Sequence, residues 1–301
     1  MTALEPSRSG AALAVLLAAV VAAGSLFVAR PPAPVDASAP DDRFSAERAM
    51  RHVEAIAATV HPMGSAAHEA AREYVLEELR ALGLAPEVQT AWVARARGAG
   101  VIAARVHNVL ARLEGESDGP AVVLMSHYDS VPTGPGAGDA AAGVASLLET
   151  ARALRAGRPL ANDLIVVITD GEESGLLGAR AFADEHPWMA DVGLVLNFEA
   201  RGNAGLVTMF ETSDGNGALV RQLADAAPHP WASSLSYEVY RRMPNDTDLT
   251  VTRQAGAAGL NFAMIGNHAA YHTELDTPAL LDRRSLQHMG SYALALARRF
   301  G

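Results

Sequence analysis

Side chains that could bind a metal follow apolar runs in this sequence. The run Ala121-Val-Val-Leu124 leads into His127 and Asp129, and a glycine-rich turn then carries the chain to Asp139. Such a run is typical of a buried strand, and open α/β sheets bind ligands at the carboxyl ends of their strands. Because His127 and Asp129 are two residues apart, they point to one side of a continuing strand, and the carboxylate can orient a metal-binding imidazole.

Three later apolar runs end in the same way. They are followed, in chain order, by Glu172 and Glu173, by Glu199, and by His272. If the runs are strands of one sheet, these side chains converge at one edge of it. For single residues the alternatives are a solvated acidic turn, an ion pair of Glu199 with Arg201, and a capping role for His272. Their joint occurrence at strand ends favours a metal site.

Five of these side chains complete the ligand set of two zinc ions. Zinc binds histidine nitrogen and carboxylate oxygen at about 2.0 to 2.2 Å, and two zinc ions sharing a carboxylate lie about 3.5 to 4 Å apart. We expect one ion between His127 and Glu199. The second would lie between Glu173 and His272, and Asp139 would bridge the two. The sequence contains no cysteine, which excludes a thiolate zinc site.

Glu172 is the carboxylate that this ligand set leaves unused. Bound zinc lowers the pKa of its water to about 7, and a free carboxylate beside that water can take its proton. The sequence therefore predicts Glu172 as the general base of a hydrolysis in which a metal-bridging hydroxide attacks the substrate.

The overall composition indicates a globular domain with a large core. Of the 301 residues, 50% are hydrophobic and 19% are charged. The formal charge of −10 argues against a polyanionic partner, so no nucleic acid is expected. Strand and helix patterns alternate along the chain, with no internal repeat, which predicts a single α/β domain.

Hydrophobic periodicity and capping residues predict the individual elements. Helices are expected at 45–57, 65–82, 139–156, 176–185, 216–226, 247–254 and 283–300. Strands are expected at 87–94, 101–113, 121–127, 164–168, 192–196, 206–210 and 260–265, the first two as an antiparallel pair.

The N-terminal region predicts a membrane anchor or a signal segment. Residues 11–29 carry no charge and are nearly all Ala, Val and Leu, which is long enough for a transmembrane helix but only marginally hydrophobic. We interpret residues 1–30 as an uncleaved anchor, with a cleaved signal peptide as the alternative. Residues 31–43 would be a proline-rich linker, and residues 44–301 the folded domain, lying on the extracytoplasmic side or secreted to the periplasm or beyond if the leader is cleaved.

Five motifs occur in an order that resembles the di-zinc aminopeptidase family, which includes aminopeptidase Y and bacterial leucyl aminopeptidase. They are Ser126–Val131, Gly136–Asp139, Asp170–Gly178, Asn197–Arg201 and Tyr271–Thr277. The most similar branch is the endoplasmic reticulum metallopeptidase type. The resemblance extends over residues 44–300.

This resemblance implies a zinc exopeptidase fold, in which helices flank a mixed, mostly parallel sheet, and two Zn²⁺ ions per chain. It implies the five ligands named above, Glu172 as the base and Asp129 beside the imidazole of His127. Members of the family hydrolyse the N-terminal peptide bond of peptides. The resemblance also implies a cis peptide bond between Asp139 and Ala140, although relatives usually carry a polar residue in place of Ala140.

The sequence thus predicts a zinc-dependent metallo-aminopeptidase that acts on peptides. The alternatives are a glutaminyl cyclase or deacylase on the same fold, and a non-catalytic receptor-like ectodomain. Three further residues are candidates for substrate contacts. Tyr271 would donate to the developing oxyanion or pack at the strand edge, and Arg201 would meet a substrate carboxylate or pair with Glu199. Asp246 would border the pocket together with Asp248, or one of these two residues would cap a helix.

Overall fold

The computed structural model describes residues 8–98 and 100–301. In this part of the chain, seven strands form one sheet: β1 (Glu87–Arg97), β2 (Gly100–Leu113), β3 (Ala121–His127), β4 (Leu164–Thr169), β5 (Val192–Ala200), β6 (Ala204–Thr212) and β7 (Ala258–Gly266). The helices of the same part are α1 (Arg8–Val28), α2 (Ala46–Ile56), α3 (Ala66–Ala81), α4 (Gly143–Arg155), α5 (Leu177–Glu185), α6 (Gly217–Ala226), α7 (Ser234–Tyr240), α8 (Asp248–Gln254) and α9 (Arg283–Phe300).

The strand order is β1-β2-β4-β3-β5-β7-β6. At the centre, β3 pairs in parallel with β4 on one side and with β5 on the other, and β5 pairs in parallel with β7. The outer pairs are antiparallel, which confirms the predicted mixed sheet. Because β4 and β5 lie on opposite sides of β3, the carboxyl end of β3 is a topological switch point, where open α/β sheets bind ligands.

The central strands are buried on both faces of the sheet. Every residue of β3 and β4 is buried, which explains why both sequences are continuously apolar. In β3, Val122 and Leu124 belong to the hydrophobic core that α2, α4 and α9 complete. Val123 and Met125 face the other side, where they pack with Phe182 of α5. The sheet is therefore held between two layers of helices.

Two serines begin helices α2 and α3 where the sequence predicts them. Ser45 Oγ accepts the N–H of Arg48 at 3.2 Å, and Ser65 Oγ accepts that of His68 at 3.1 Å. Such caps satisfy backbone N–H groups that the first helical turn leaves unpaired. The sequence prediction missed α7, which follows the capping residue Ser233, because seven residues are too few to show clear periodicity.

The predicted anchor segment forms α1 from residue 8 onward, and its residues 1–7 lie outside the described part of the chain. Among the described residues, no helix has both the length and the apolar character needed to cross a membrane. The segment is rich in alanine and therefore only marginally hydrophobic. In the predicted linker, the N–H of Val35 donates to Gln287 Oε1 of α9 at 2.9 Å.

Candidate metal centre

The predicted ligands meet at the carboxyl edge of the sheet. His127 is the last residue of β3, and Glu199 lies in the neighbouring strand β5. Glu173 is in the turn between β4 and α5, and His272 follows a short 3₁₀ helix after β7. Asp139 has non-helical backbone angles and lies in the turn that leads into α4. All five side chains thus surround the switch point at β3.

His127, Asp139 and Glu199 form a first group of candidate ligands. His127 Nε2 lies 3.2 Å from Asp139 Oδ1 and 3.5 Å from Glu199 Oε2. One ligand atom of each residue lies within 4.8 Å of the other two, and all three residues are buried. One imidazole nitrogen and two carboxylate oxygens at this spacing can hold one zinc ion.

Asp139, Glu173 and His272 form a second group, which shares Asp139 with the first. His272 Nε2 lies 3.0 Å from Asp139 Oδ2 and 3.1 Å from Glu173 Oε1. The two oxygens of Asp139 therefore face different histidines, with Oδ1 directed to His127 and Oδ2 to His272. This is the arrangement that a carboxylate bridging two metal ions requires.

The backbone of Asp129 determines which nitrogen of His127 faces the metal site. His127 Nδ1 lies 3.0 Å from the main-chain oxygen of Asp129. A carbonyl oxygen only accepts hydrogen bonds, so Nδ1 carries the proton of this bond and Nε2 presents its lone pair to the first group. A metal-binding imidazole is commonly oriented by a hydrogen bond of this kind from its other nitrogen.

The donor set and its charge fit a pair of zinc ions. Two imidazoles and three carboxylates supply only nitrogen and oxygen ligands. Within the described residues, no arginine forms an ion pair with Asp139, Glu173 or Glu199. Three carboxylates that lie this close together without a compensating arginine call for a bound cation, because burying unpaired like charges is costly.

The pKa shifts in the metal-free protein have the same cause, which is the close spacing of these charged groups. Burial, and then the charge of Asp139, raises the pKa of Glu173 to about 7. Burial alone would lower the pKa of His272, but hydrogen bonds to Asp139 and Glu173 outweigh it and raise this pKa to about 9. Likewise, the two histidines lower the pKa of Asp139 to about 2 against the effect of burial. Protons thus supply part of the positive charge that metal ions would bring.

Sequence comparison assigns the chain to a family. Residues 108–297, more than half of the chain, match the model of peptidase family M28. The chain belongs to this family. Endoplasmic reticulum metallopeptidase 1 of Rattus norvegicus is 34% identical over 198 residues, which are 64% of this chain and 22% of that relative. The chain therefore spans about a fifth of the length of the relative it matches.

Solved structures share the fold of this M28 domain. BSAP, a zinc aminopeptidase from Bacillus subtilis, superposes with a TM-score of 0.70 and 15% identity over 84% of this chain and 94% of that one. Glutaminyl cyclase from Porphyromonas gingivalis has a TM-score of 0.67 and 24% identity, covering 83% of this chain and 96% of that one. At these identities the likeness concerns the fold alone.

The carboxylate of Asp129 supports the two glutamates of the M28 site. Its Oδ1 accepts the N–H of Glu172 at 3.1 Å, and its Oδ2 accepts that of Glu173 at 3.2 Å. The same carboxylate lies 3.5 Å from His127 Nδ1. Asp129 therefore orients the histidine mainly through its carbonyl oxygen, whereas its side chain fixes the turn that carries Glu172 and Glu173.

Sequence reasoning missed two residues that position ligands of the M28 site. Asp276 accepts the N–H groups of Gly138 at 2.8 Å and of Asp139 at 3.1 Å. Asn197 Nδ2 donates to Glu199 Oε1 at 3.0 Å. Both residues lie inside the motifs quoted above. Their position in the same strand-end segments as the candidate ligands was the signal that could have identified them.

The glycine-rich turn before Asp139 requires its glycines. Gly136 has φ +70°, a left-handed conformation that suits glycine. A Cβ on Gly138 would lie 2.6 Å from the oxygen of Gly202, so a larger residue would push the turn away from the site. The peptide bond between Asp139 and Ala140 is cis, which confirms the expectation from the family resemblance.

A cavity of about 490 Å³ opens beside the metal centre. Asp139, Glu172 and Glu199 are among the residues that line it. Apolar side chains form much of the remaining wall, among them Phe210, Leu235, Val239, Tyr240, Met243 and Ile265. An apolar cavity wall therefore lies beside the candidate metal centre.

The three less certain candidates, Tyr271, Arg201 and Asp246, all line this cavity. The ring of Tyr271 stacks on that of His272 with centroids 3.7 Å apart, so it packs against a candidate ligand. Arg201 forms no ion pair with Glu199 within the described residues, and that alternative is wrong. Thr247 is the N-cap of α8, so the capping alternative for Asp246 is wrong as well.

Proposed function

We propose that this chain is a co-catalytic zinc aminopeptidase that removes the N-terminal residue of short peptides. The shared carboxylate of Asp139, which faces His127 with one oxygen and His272 with the other, is the observation that carries this proposal. It joins two of the three overlapping groups of possible ligands; the third group consists of His127, Glu172 and Glu173. A site for two ions next to an apolar cavity suits hydrolysis of a peptide bond that lies beside a free amine.

Bound zinc ions would lower the pKa of a shared water to about 7 and polarise the scissile carbonyl. Glu172 supplies the proton acceptor. It lines the cavity, and its backbone N–H is held by Asp129 at 3.1 Å. Burial raises the pKa of the Glu172 carboxyl well above its ordinary range, with the charge of Glu199 adding to the rise and that of His127 opposing it.

The two protonation states of Glu172 match the two halves of the proton transfer. The carboxylate form of Glu172 takes a proton during attack, and its neutral form returns that proton to the leaving amine. Because Asp129 fixes both Glu172 and Glu173 through their amides, the base is held at a constant distance from a ligand of the second group. Tyr271, packed on His272, borders the same space and is proposed to contact the developing oxyanion.

The alternative functions make different predictions about the metal content. A glutaminyl cyclase of this fold would be expected to hold one zinc ion, and the likeness to the Porphyromonas gingivalis cyclase concerns the fold alone. A receptor-like ectodomain would be expected to lack ligands. The presence of two complete ligand groups and of Glu172 favours the aminopeptidase over both alternatives.

The test combines metal analysis with a substrate screen. Purified protein would be loaded with Zn²⁺, its metal content measured, and a panel of aminoacyl amides and short peptides supplied with and without a chelator. We expect two zinc ions per chain and chelator-sensitive release of N-terminal residues. One zinc ion with cyclisation of N-terminal glutamine would instead favour the cyclase. Absence of both hydrolysis and cyclisation, even with the metal sites filled, would favour the receptor-like protein.

We further propose that the domain works at a membrane and outside the cytoplasm. The name of the rat relative places that protein in the endoplasmic reticulum. In this chain, the apolar side chains exposed on α1 are Leu13, Val15, Leu16, Leu17, Val20, Val21, Phe27 and Val28. Fractionation of cells that express the full chain, compared with a variant lacking residues 1–30, tests this proposal by the loss of membrane-bound protein.

A further inference from the structure

Arg201 is a charged residue of the cavity wall that the proposed reaction does not use. It follows β5 directly, two residues after the ligand Glu199. Its backbone is fixed on both sides, because its N–H donates to the oxygen of Met264 at 2.8 Å and its oxygen accepts from His268 Nδ1 at 2.8 Å. The backbone that carries the guanidinium is therefore held in place at the edge of the sheet where the candidate ligands meet.

The guanidinium of Arg201 contacts neutral groups within the described structure. Its Nη1 donates to Asn245 Oδ1 at 3.2 Å and lies 3.6 Å from the sulfur of Met243. Its Cζ lies over the ring of Tyr271, 5.3 Å from the ring centroid. Its Nε is buried and has no hydrogen-bond partner among the described residues. Several donors of a permanently charged group thus remain without an acceptor.

Three other shielded arginines of the domain are paired with carboxylates, whereas Arg180, whose Nε is also buried without a hydrogen-bond partner, forms no ion pair within the described residues. Arg48 and Arg152 both contact Glu149, at 2.8 Å and 2.6 Å. Arg253 contacts Glu211 at 2.6 Å. A buried charge normally has such a partner, because leaving it unpaired is costly. Arg201 therefore differs from these arginines in lacking an internal carboxylate while it faces a ligand-sized cavity.

We propose that Arg201 binds a carboxylate of the substrate. The inference rests on the proposed aminopeptidase function, and it adds a class of substrate to it. A guanidinium pairs with a carboxylate through two parallel hydrogen bonds, and the apolar wall around Arg201 strengthens such a pair by excluding water. The carboxylate belongs either to the C-terminus of a dipeptide or to an acidic side chain at the N-terminus, and both have the same chemistry.

Two pairs of substrates distinguish these sources. Leucylalanine and its C-terminal amide differ only in the C-terminal carboxylate, whereas glutamylalanine amide and methionylalanine amide differ mainly in the side-chain carboxylate. In one of these pairs, we expect the zinc-loaded protein to prefer the member that carries the carboxylate. R201Q should lower kcat/KM for that member roughly 10- to 100-fold, mainly through KM, and leave its uncharged counterpart nearly unchanged.

Matched variants separate recognition from a general effect on the fold. R201K keeps the charge but not the planar pair of donors, so it should restore part of the preference. R95Q removes another guanidinium at the site, which donates to the oxygen of Gly175 at 2.8 Å and lines a second cavity next to Glu172. R95Q should leave the ratio of the two kcat/KM values within each substrate pair unchanged. Thermal unfolding of every variant identifies any that fail to fold.

A binding measurement tests the inference without turnover. In the E172Q background, calorimetry compares the affinity for leucylalanine, its amide and the glutamyl and methionyl amides, with and without R201Q. Selective loss of affinity for a carboxylate-bearing ligand supports the proposal. Equal losses within both pairs, or no loss in either, overturn it. If the zinc-loaded wild-type protein cleaves none of the substrates, the aminopeptidase function fails, and the calorimetry still decides the role of Arg201.

Discussion

The carboxylate of Asp276 accepts the backbone N–H of Asp139 at 3.1 Å, although 137 residues separate them. The other carboxylate oxygen of Asp276 accepts the N–H of Gly138 at 2.8 Å. The main-chain oxygen of Asp276 accepts the N–H of Ala137 at 3.0 Å. Three contacts from one residue thus hold the turn that presents Asp139, the proposed bridging ligand. Asp276 acts on the metal centre through this turn, as a positioning residue.

Replacing Asp276 should weaken zinc binding without removing a ligand. D276A deletes both acceptors of the turn, and we expect a roughly 10- to 100-fold loss of zinc affinity, the usual effect of losing a residue that supports a metal ligand. D276N keeps one carbonyl oxygen and should lose less. Competition with a chromogenic chelator measures these affinities. The exposed neighbour Glu274 provides the control, because E274A should bind zinc like the wild type.

Glu172 should be needed for turnover but not for metal binding. E172Q keeps the shape of the side chain and removes its ability to take a proton, so we expect two zinc ions per chain and a loss of roughly 10²- to 10⁴-fold in kcat. Metal analysis and steady-state kinetics on the same sample check both parts. Wild-type turnover would exclude Glu172 as the base, and loss of one zinc ion would make it a ligand.

Removing single ligands should change the zinc stoichiometry in a defined pattern. Glu199 belongs to the first group and Glu173 to the second, whereas Asp139 belongs to both. E199A and E173A should therefore each retain about one tightly bound ion, and D139A should retain neither. Mass spectrometry under non-denaturing conditions counts the ions. Two tightly bound ions in D139A would contradict the bridging role.

His288 of α9 should make stability fall in mild acid. Its Nδ1 accepts the N–H of Val207 at 3.0 Å, and its Nε2 donates to the oxygen of His229 at 3.0 Å, so the neutral ring satisfies both contacts. Burial lowers its pKa to about 4, against the opposing bond to His229. The folded protein thus binds fewer protons than the unfolded chain, and the stability present above pH ~6.5 is lost as the pH falls towards 4.

The expected loss from His288 is about 3 kcal/mol over that range. Urea unfolding at several pH values measures it as the difference between wild type and H288N, which removes the ionisable ring. The variant should be less stable at pH 7 but depend less on pH. Parallel curves for the two proteins would show that His288 does not titrate as described.

Much of the site could be predicted because its signals are local. The continuous apolar runs that become β3 and β4 identify buried central strands, and the residues that follow them lie at the carboxyl edge by the geometry of parallel sheets. Helix bounds near Ser45 and Ser65 were predictable for the same reason, since a cap is a property of a few consecutive residues.

By itself, the sequence determined the mixed sheet and the order of the candidate ligands at the strand ends, and it predicted Glu172 as the general base. Only the tertiary structure decided how these groups face one another. It showed that the two oxygens of Asp139 point to different histidines, that Asp276 holds the turn before it, and that Arg201 has no carboxylate partner within the described residues. Such relationships join residues far apart in the chain, and their geometry depends on how strands and turns pack, which no local pattern encodes.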